Sequence, residues 1–530
     1  MTATLDRPAP SQQGQDPPDW RARLLPLVNG SGGWLVTFAV TLVAGLLRFI
    51  RLDQPASTLT AKGAAVGPGQ IFDELYYACD SHSLMTYGVE HAAPNPGDTS
   101  AFCHLNSQPA FIVHPPLGKW LIGIGEQIMG FNTWGWRISA ALFGTLTILL
   151  VVRIGRRMMG STLLGGLAGL LLAFDGLHFV QSRIATLDVF LCFFITASFG
   201  ALVVDRDDLR QRLSRNSEEE LSAGGYLGWR PWRLVAGICF GLSLATKWSA
   251  LFPLVIMIGL TLFWEAGARK TAGVRAPWRT TLRQTTAPLA GMFTLLPVAV
   301  YLTSWTGWFV TGSGYDRHWA DGRHTDYGFI PASLRSFWHY HAEILHFHDT
   351  LKASHPYQSH PLSWPFLGRP VSYYYPPGIK VGVYGCTSNL PAGCSREVLA
   401  IGTPAIWWAM TPLALGLIAR WIAKRDWVSA ALLLLMAVSI LSWIPSDLNQ
   451  RTMFLFYALP ADPFLCLGLA LMAGWVIGKA GTTRRLWGAG SVGVYVSLVV
   501  LNFIYLYPIL AAVTIPYADW HKRMWFSSWI

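Results

Sequence analysis

"RISAALFGTLTILLVVRIGRR", residues 137–157, is the stretch on which the fold turns. Arg137 is followed by an unbroken run of uncharged, mostly apolar residues that stops at Arg153, Arg156 and Arg157. A helix needs about 20 apolar residues to cross a bilayer core. The span 134–152 meets that need, and the arginines closing it mark one membrane face.

The rest of the chain repeats the pattern. Of 530 residues, 52% are hydrophobic and 13% are charged, whereas a soluble domain carries about 25% charged residues. A single water-soluble core would leave much of this apolar surface unhoused, so lipid is the expected solvent. Further spans are expected at 33–50, 162–179, 184–204, 233–248, 249–265, 286–305, 401–420, 427–444, 453–477 and 486–510. The predicted fold class is therefore an all-α polytopic membrane protein of about eleven transmembrane helices. Two long segments, 51–133 and 306–400, lie outside them. The net charge of +11 does not point to nucleic acid, because the basic residues fall in short clusters between apolar spans. No secretory leader is expected; residues 1–32 are polar and proline-rich and read as a disordered tail.

Orientation follows from Lys and Arg in the short loops. Arg153, Arg156 and Arg157 form one cluster; Arg206, Arg210, Arg212 and Arg215 a second; Arg269, Lys270, Arg275, Arg279 and Arg283 a third. Arg420, Lys424 and Arg425, and then Lys479, Arg484 and Arg485, complete the set. With eleven spans all five clusters share the side of the N-terminus, which is expected to be cytoplasmic. Both long segments and the C-terminal segment 511–530 are then extracytoplasmic. Arg48 and Arg51 go against the pattern. Cys192, Cys239 and Cys466 lie in spans and read as core thiols. Cys386 with Cys394, and Cys79 with Cys103, lie where disulfides persist and are candidate pairs.

"QIFDELYYACDSHSLM", residues 70–85, then stands out. Phe72, Leu75, Tyr76 and Cys79 share a helical stripe. Asp73 and Glu74 are adjacent and point about 100° apart. A helix-start pair explains their acidity, but not an aromatic setting beside a membrane. A partly desolvated carboxylate there is a better base. Other polar residues collect at the same level: His114 and Lys119 around a double proline, Arg137, Asp175, His178, Arg183, Asp188, Lys247, Asp447 and Arg451. Each alone reads as an interfacial anchor. Together they describe cations for an anionic group and a carboxylate for a proton. A polyprenyl phosphate sugar is a membrane-associated anion of the right kind. Its phosphate leaves readily, so one base suffices, unlike glycoside hydrolysis with its two carboxyls.

"FDELYYA", "HPPLGK", "WRISAALFG", "SRIATLDVFL", "GLSLATKWSAL", "HPYQSHPLSWPFLGRPVSYYY", "RTMFLFYALPADPF" and "HKRMWFSSWI" occur in that order. With them the chain resembles the protein O-mannosyltransferases of actinobacteria, which are related to the eukaryotic ones. The resemblance implies a C-type glycosyltransferase fold over 33–510 in the cell membrane, with an extracytoplasmic active site. It implies transfer of mannose from polyprenyl phosphate mannose to Ser or Thr of secreted or membrane proteins, with inversion by single displacement. It makes Asp73 the base, gives Glu74 an acceptor-orienting or supporting role, and places Arg137 at the phosphate. Lys119, Arg183, Lys247 and Arg451 are further phosphate candidates. His114, Tyr77, His355 and Trp364 are candidates for acceptor or sugar. The large inserted ligand domain of eukaryotic members is absent. The protein export channel is a candidate neighbour.

"WHYHAEILHFHD", residues 338–349, offers His339, His341, His346, His348 and Asp349. His341 with His348, and His339 with His346, occupy different faces, so no metal is expected and a divalent cation is not indicated. Two rival functions stay open: a transferase of the same donor class acting on a lipid or cell-wall glycan, and a transporter. Transporters place ionisable residues near the midplane of matched halves; here they sit at helix ends and no internal repeat is visible.

Overall fold

A computed structural model describes residues 32–530 except 57, 60–64, 68, 93–102, 104–107, 226, 326, 377 and 479–480. The expected tail, apart from residue 32, lies outside the described residues. The architecture is helical. In chain order, α1 is Trp34–Phe49, α2 Glu74–Tyr87, α3 Leu117–Met129, α4 Thr133–Met159, α5 Thr162–Ala173, α6 Gly176–Gln181 and α7 Asp188–Arg215. There follow α8 Pro231–Leu244, α9 Leu251–Thr271, α10 Pro277–Ser304, α11 Ala332–Thr350, α12 Pro404–Lys424, α13 Trp427–Leu441, α14 Asp462–Ile477 and α15 Thr483–Leu510.

Eight of the described helices are long and apolar enough to cross a membrane. The other three expected spans fall on the shorter apolar helices α1, α5 and α8. α4 shows how local chemistry sets the ends. Asn132 Oδ1 accepts from the amides of Trp134 and Gly135 at 2.9 and 3.1 Å, satisfying orphan donors of the first turn. Arg156 and Arg157 occupy the last turn, where they oppose the helix dipole, and Gly160 ends it in the left-handed conformation. α5 lies tightly on α4: a Cβ on Gly165 would come within 2.6 Å of the Arg156 amide and the Val152 carbonyl. The small residues of that span therefore serve helix packing.

The largest core joins α4, α5, α7, α13, α14 and α15 through Ile148, Leu171, Leu202, Leu432, Phe464 and Phe503. A second ties α2 and α3 to the bundle through Ala78, Ile122, Trp136 and Phe190. A third joins the two long segments: Val89 and Ile112 pack with Trp305, Trp308, Tyr340 and Ile344. The Tyr340 hydroxyl accepts from the Ile112 amide at 3.0 Å. Two-stranded antiparallel ribbons complete that end, Val371–Tyr374 with Val398–Ala400 and Cys394–Ser395 with Ile515–Pro516. Cys79–Cys103 and Cys386–Cys394 are both disulfides. Arg48, the exception to the charge pattern, is fully buried and bonds His178 Nδ1 at 2.9 Å. It is an internal partner rather than a loop charge.

Candidate active site

Phe72 takes a left-handed backbone, φ 50°, which a bulky residue adopts only when its surroundings compel it. Its ring stacks on Tyr373 at 4.3 Å and meets Phe454 and Phe456 edge-on. The turn held this way delivers Asp73 to the start of α2. Asp73 makes no side-chain capping bond there. It lines a cavity of about 680 Å³ instead, and the stripe Phe72, Leu75, Tyr76 and Cys79 lines the same space. Burial pushes the Asp73 carboxyl up to about 7; Lys247 pulls it down and Asp188 pushes it further up. A carboxylate desolvated to that degree is a proton acceptor suited to neutral pH.

Glu74 points the other way. It is fully buried, and its two oxygens accept from Arg137 Nε and Nη2 at 2.8 and 2.7 Å. The amides of Ile71 and Ala185 complete its shell at 3.0 and 2.8 Å. Arg137 gives its remaining donors to the carbonyls of Leu52, Pro55 and Gly69. Neither residue lines a cavity described here. Arg137, expected at the phosphate, is bonded instead to Glu74 and three carbonyls, and Glu74, expected either to orient the acceptor or to support the base, has the geometry of the second: the pair is a buried strut at the turn before Asp73.

A second cavity of about 320 Å³ lies beside the first. His114, Lys247 and Tyr457 line both. Lys247 Nζ lies 3.0 and 2.9 Å from the two carboxylate oxygens of Asp188 and 5.4 Å from the centre of the Tyr457 ring. Arg451 faces the same ring at 5.8 Å and bonds the His348 carbonyl at 3.0 Å. Burial pulls His348 down to about 4, although its bond to the Val113 carbonyl opposes this; Arg451 and Lys247 add to the fall. Burial and Lys247 hold His114 well below the ordinary histidine range. Both imidazoles are thus neutral at pH 7, and the cations of the cavity are Lys247, paired with Asp188, and Arg451; Asp349 also lines it. Leu251, Phe252 and Leu345 line the same cavity while being substantially exposed, so one side of it is apolar and open.

The other candidates divide. Tyr77 lines the larger cavity. Lys119 lines it too, but its ammonium is held at 3.0 Å by both Asp80 and Glu90. Burial lowers its pKa, and Asp80 and Glu90 more than offset that, leaving it above the ordinary range. Arg183 is spent on the carbonyls of Leu47, Arg48, Ile50 and Arg51, where it caps the end of α1 rather than meeting phosphate. Trp364 is fully buried with its indole N–H on Ser359, so it is core and not a sugar platform. His355 lies outside the lining, edge-on to Phe454 at 5.0 Å. Reasoning from sequence gave no role to Tyr457, and it named Asp188 without pairing it to Lys247. Their partners come from other helices, and only the chain's course brings them together.

A polytopic helical bundle with a desolvated carboxylate in a polar cap at one end is the architecture of a membrane glycosyltransferase of the C-type fold. The yeast protein O-mannosyltransferase Pmt1–Pmt2 complex bound to the sugar donor shares this fold, with TM-score 0.70 over 96% of this chain and 94% of that one at 16% identity. The family described as dolichyl-phosphate-mannose-protein mannosyltransferase matches residues 110–312. The family described as the C-terminal four-helix membrane region of protein-O-mannosyltransferase matches 333–529. A polyprenol-phosphate-mannose–protein mannosyltransferase of Mycobacterium tuberculosis is 38% identical over 94% of this chain and 92% of its own length. One from Corynebacterium glutamicum is 35% identical over 93% of each. The chain belongs to the protein O-mannosyltransferase family and is a multi-pass membrane protein.

Proposed function

We propose that this protein transfers mannose from polyprenyl phosphate mannose to Ser or Thr hydroxyls of exported proteins. The observation that carries this reading is the pair of adjoining cavities, Asp73 in one and Lys247 with Arg451 in the other. The acceptor hydroxyl enters the larger cavity and gives its proton to Asp73 as its oxygen attacks the anomeric carbon. The bond from that carbon to the phosphate oxygen breaks, and the polyprenyl phosphate anion departs toward Lys247 and Arg451. Attack opposite the leaving group inverts the anomeric carbon. The prenyl chain lies along the apolar side marked by Leu251, Phe252 and Leu345. His114 and Tyr457, on the shared wall, contact the sugar. Glu74 and Arg137 position the base without touching substrate.

The five basic clusters and the two disulfides support an N-terminus in the cytoplasm of a plasma-membrane protein of eleven spans, with 51–133, 306–400 and 511–530 outside. Working beside the export channel would bring unfolded acceptors to the site.

The test is incubation of purified protein with polyprenyl phosphate mannose and a Ser/Thr-rich peptide. Mass spectrometry should find a hexose on the peptide, in α linkage from a β-linked donor. Transfer only to a lipid or glycan would replace the protein acceptor in this reading. Single-cysteine labelling with an impermeant reagent should mark both long segments and spare 205–231 in intact cells.

A further inference from the structure

Asp316, His339 and Glu343 bring one donor atom each into a small triangle on the second long segment. Glu343 follows His339 by one turn of α11, so the two side chains rise from one stripe. Asp316 arrives from the turn that precedes the helix, in a left-handed backbone at φ 48°. His339 Nε2 lies 3.4 Å from Asp316 Oδ2 and 3.3 Å from Glu343 Oε1. All three donor atoms lie within 4.8 Å of one another. Trp319 stacks on the His339 ring, centroids 3.9 Å apart and planes 12° from parallel. The stack leaves the imidazole edge, with Nε2, directed at the carboxylates.

An ion pair alone leaves the two carboxylates sharing one donor. Nε2 has a single N–H to divide between two carboxylates, and the carboxylates repel one another. A divalent cation at the centre removes both difficulties. Zinc bonds of about 2.0–2.1 Å to N and O in a tetrahedron place neighbouring donors about 3.3–3.4 Å apart. Those are the two separations measured from His339 Nε2. One nitrogen with two carboxylate oxygens suits zinc-class ions better than Mg²⁺ or Ca²⁺, which favour all-oxygen shells. We infer that Asp316, His339 and Glu343 form a three-ligand site for a zinc-class divalent cation, with water in the fourth position. None of the three lines either cavity, so the ion is structural. It ties the turn at 316 to the helix that also carries His341 and His348. The inference does not depend on the transferase reading.

Full-length protein carrying a histidine-free tag, stripped with EDTA in detergent, would be titrated with Co²⁺ and then Zn²⁺. The expected result is one Co²⁺ per chain, with the visible absorption of a low-symmetry site that Zn²⁺ abolishes. Zn²⁺ should also raise the melting temperature. His339→Asn and Glu343→Gln should lose both effects, whereas His346→Ala keeps them. Glu343→Gln serves where His339→Asn folds poorly. Equal binding in the wild type and both ligand variants, or no absorption and no melting shift at millimolar metal, would overturn the site.

Discussion

Both oxygens of Glu74 are held by Arg137 inside the protein, at 2.8 and 2.7 Å, with neither side chain exposed. The residue beside the proposed base is therefore bonded into the frame, and so is its partner. Removing one member of such a pair strands the other charge, at a cost of about 3–5 kcal/mol. Arg137→Ala is expected to lower the melting temperature sharply while leaving the donor KM of the surviving folded protein nearly unchanged. A large donor KM effect at unaltered stability would return Arg137 to the substrate.

Asp73→Asn removes basicity but no helix cap, because the wild-type side chain makes no capping bond. Turnover per folded molecule should fall by about two to four orders of magnitude, with thermal stability at neutral pH no lower than wild type, because the variant buries no ionisable carboxyl. Near-normal hexose transfer by the well-folded variant would exclude Asp73 as the base.

The same carboxyl predicts a pH profile. Burial raises it from the usual 3.8 to about 7, so its basic form grows as pH rises through 7. The kcat/KM for peptide should climb across that range and level off above it, and the limb should vanish in Asp73→Asn. Stability moves oppositely. Below 3.8 the group's full contribution is present; it is lost as pH rises to about 7, since the unfolded chain releases that proton earlier. A flat rate from about pH 6 to about pH 8, across the titration, would contradict the assignment.

Lys247 and Arg451 differ in commitment. A charge-assisted contact to a desolvated phosphate is worth about 1.5–3 kcal/mol, or about one to two decades in affinity. Lys247→Ala should raise the donor KM by that factor and the peptide KM little. Arg451→Ala should act by a similar factor, because Arg451 bonds the neutral His348 carbonyl whereas Lys247 is shared with the Asp188 carboxylate. An effect of Lys247→Ala confined to the peptide KM would reverse the assignment of the two cavities.

The helices were legible in the sequence because an apolar stretch bounded by arginines admits few other readings. Asp73 was legible because an acidic residue in an aromatic stripe beside a membrane is costly without a use. The direction of a side chain was not. Arg137 and Arg183 read as interfacial cations available to a phosphate; one bonds Glu74 and three carbonyls, the other four carbonyls. Trp364, one of the sugar or acceptor candidates, is buried. The pairing of Asp188 with Lys247 depends on how α7 meets the turn before α9, which no local pattern encodes. The histidines of α11 do not converge on each other, yet His339 meets Asp316, a residue that helical spacing could not have suggested.

The larger cavity draws Asp73 from early in the chain, Lys247 from its middle and Tyr457 from near its end. A ribosome must therefore finish most of the protein before the walls of the reaction chamber exist. Until the late helices arrive, the growing polypeptide holds Asp73 without the cavity that surrounds it. A chain that stops before Tyr457 lacks one wall of the larger cavity.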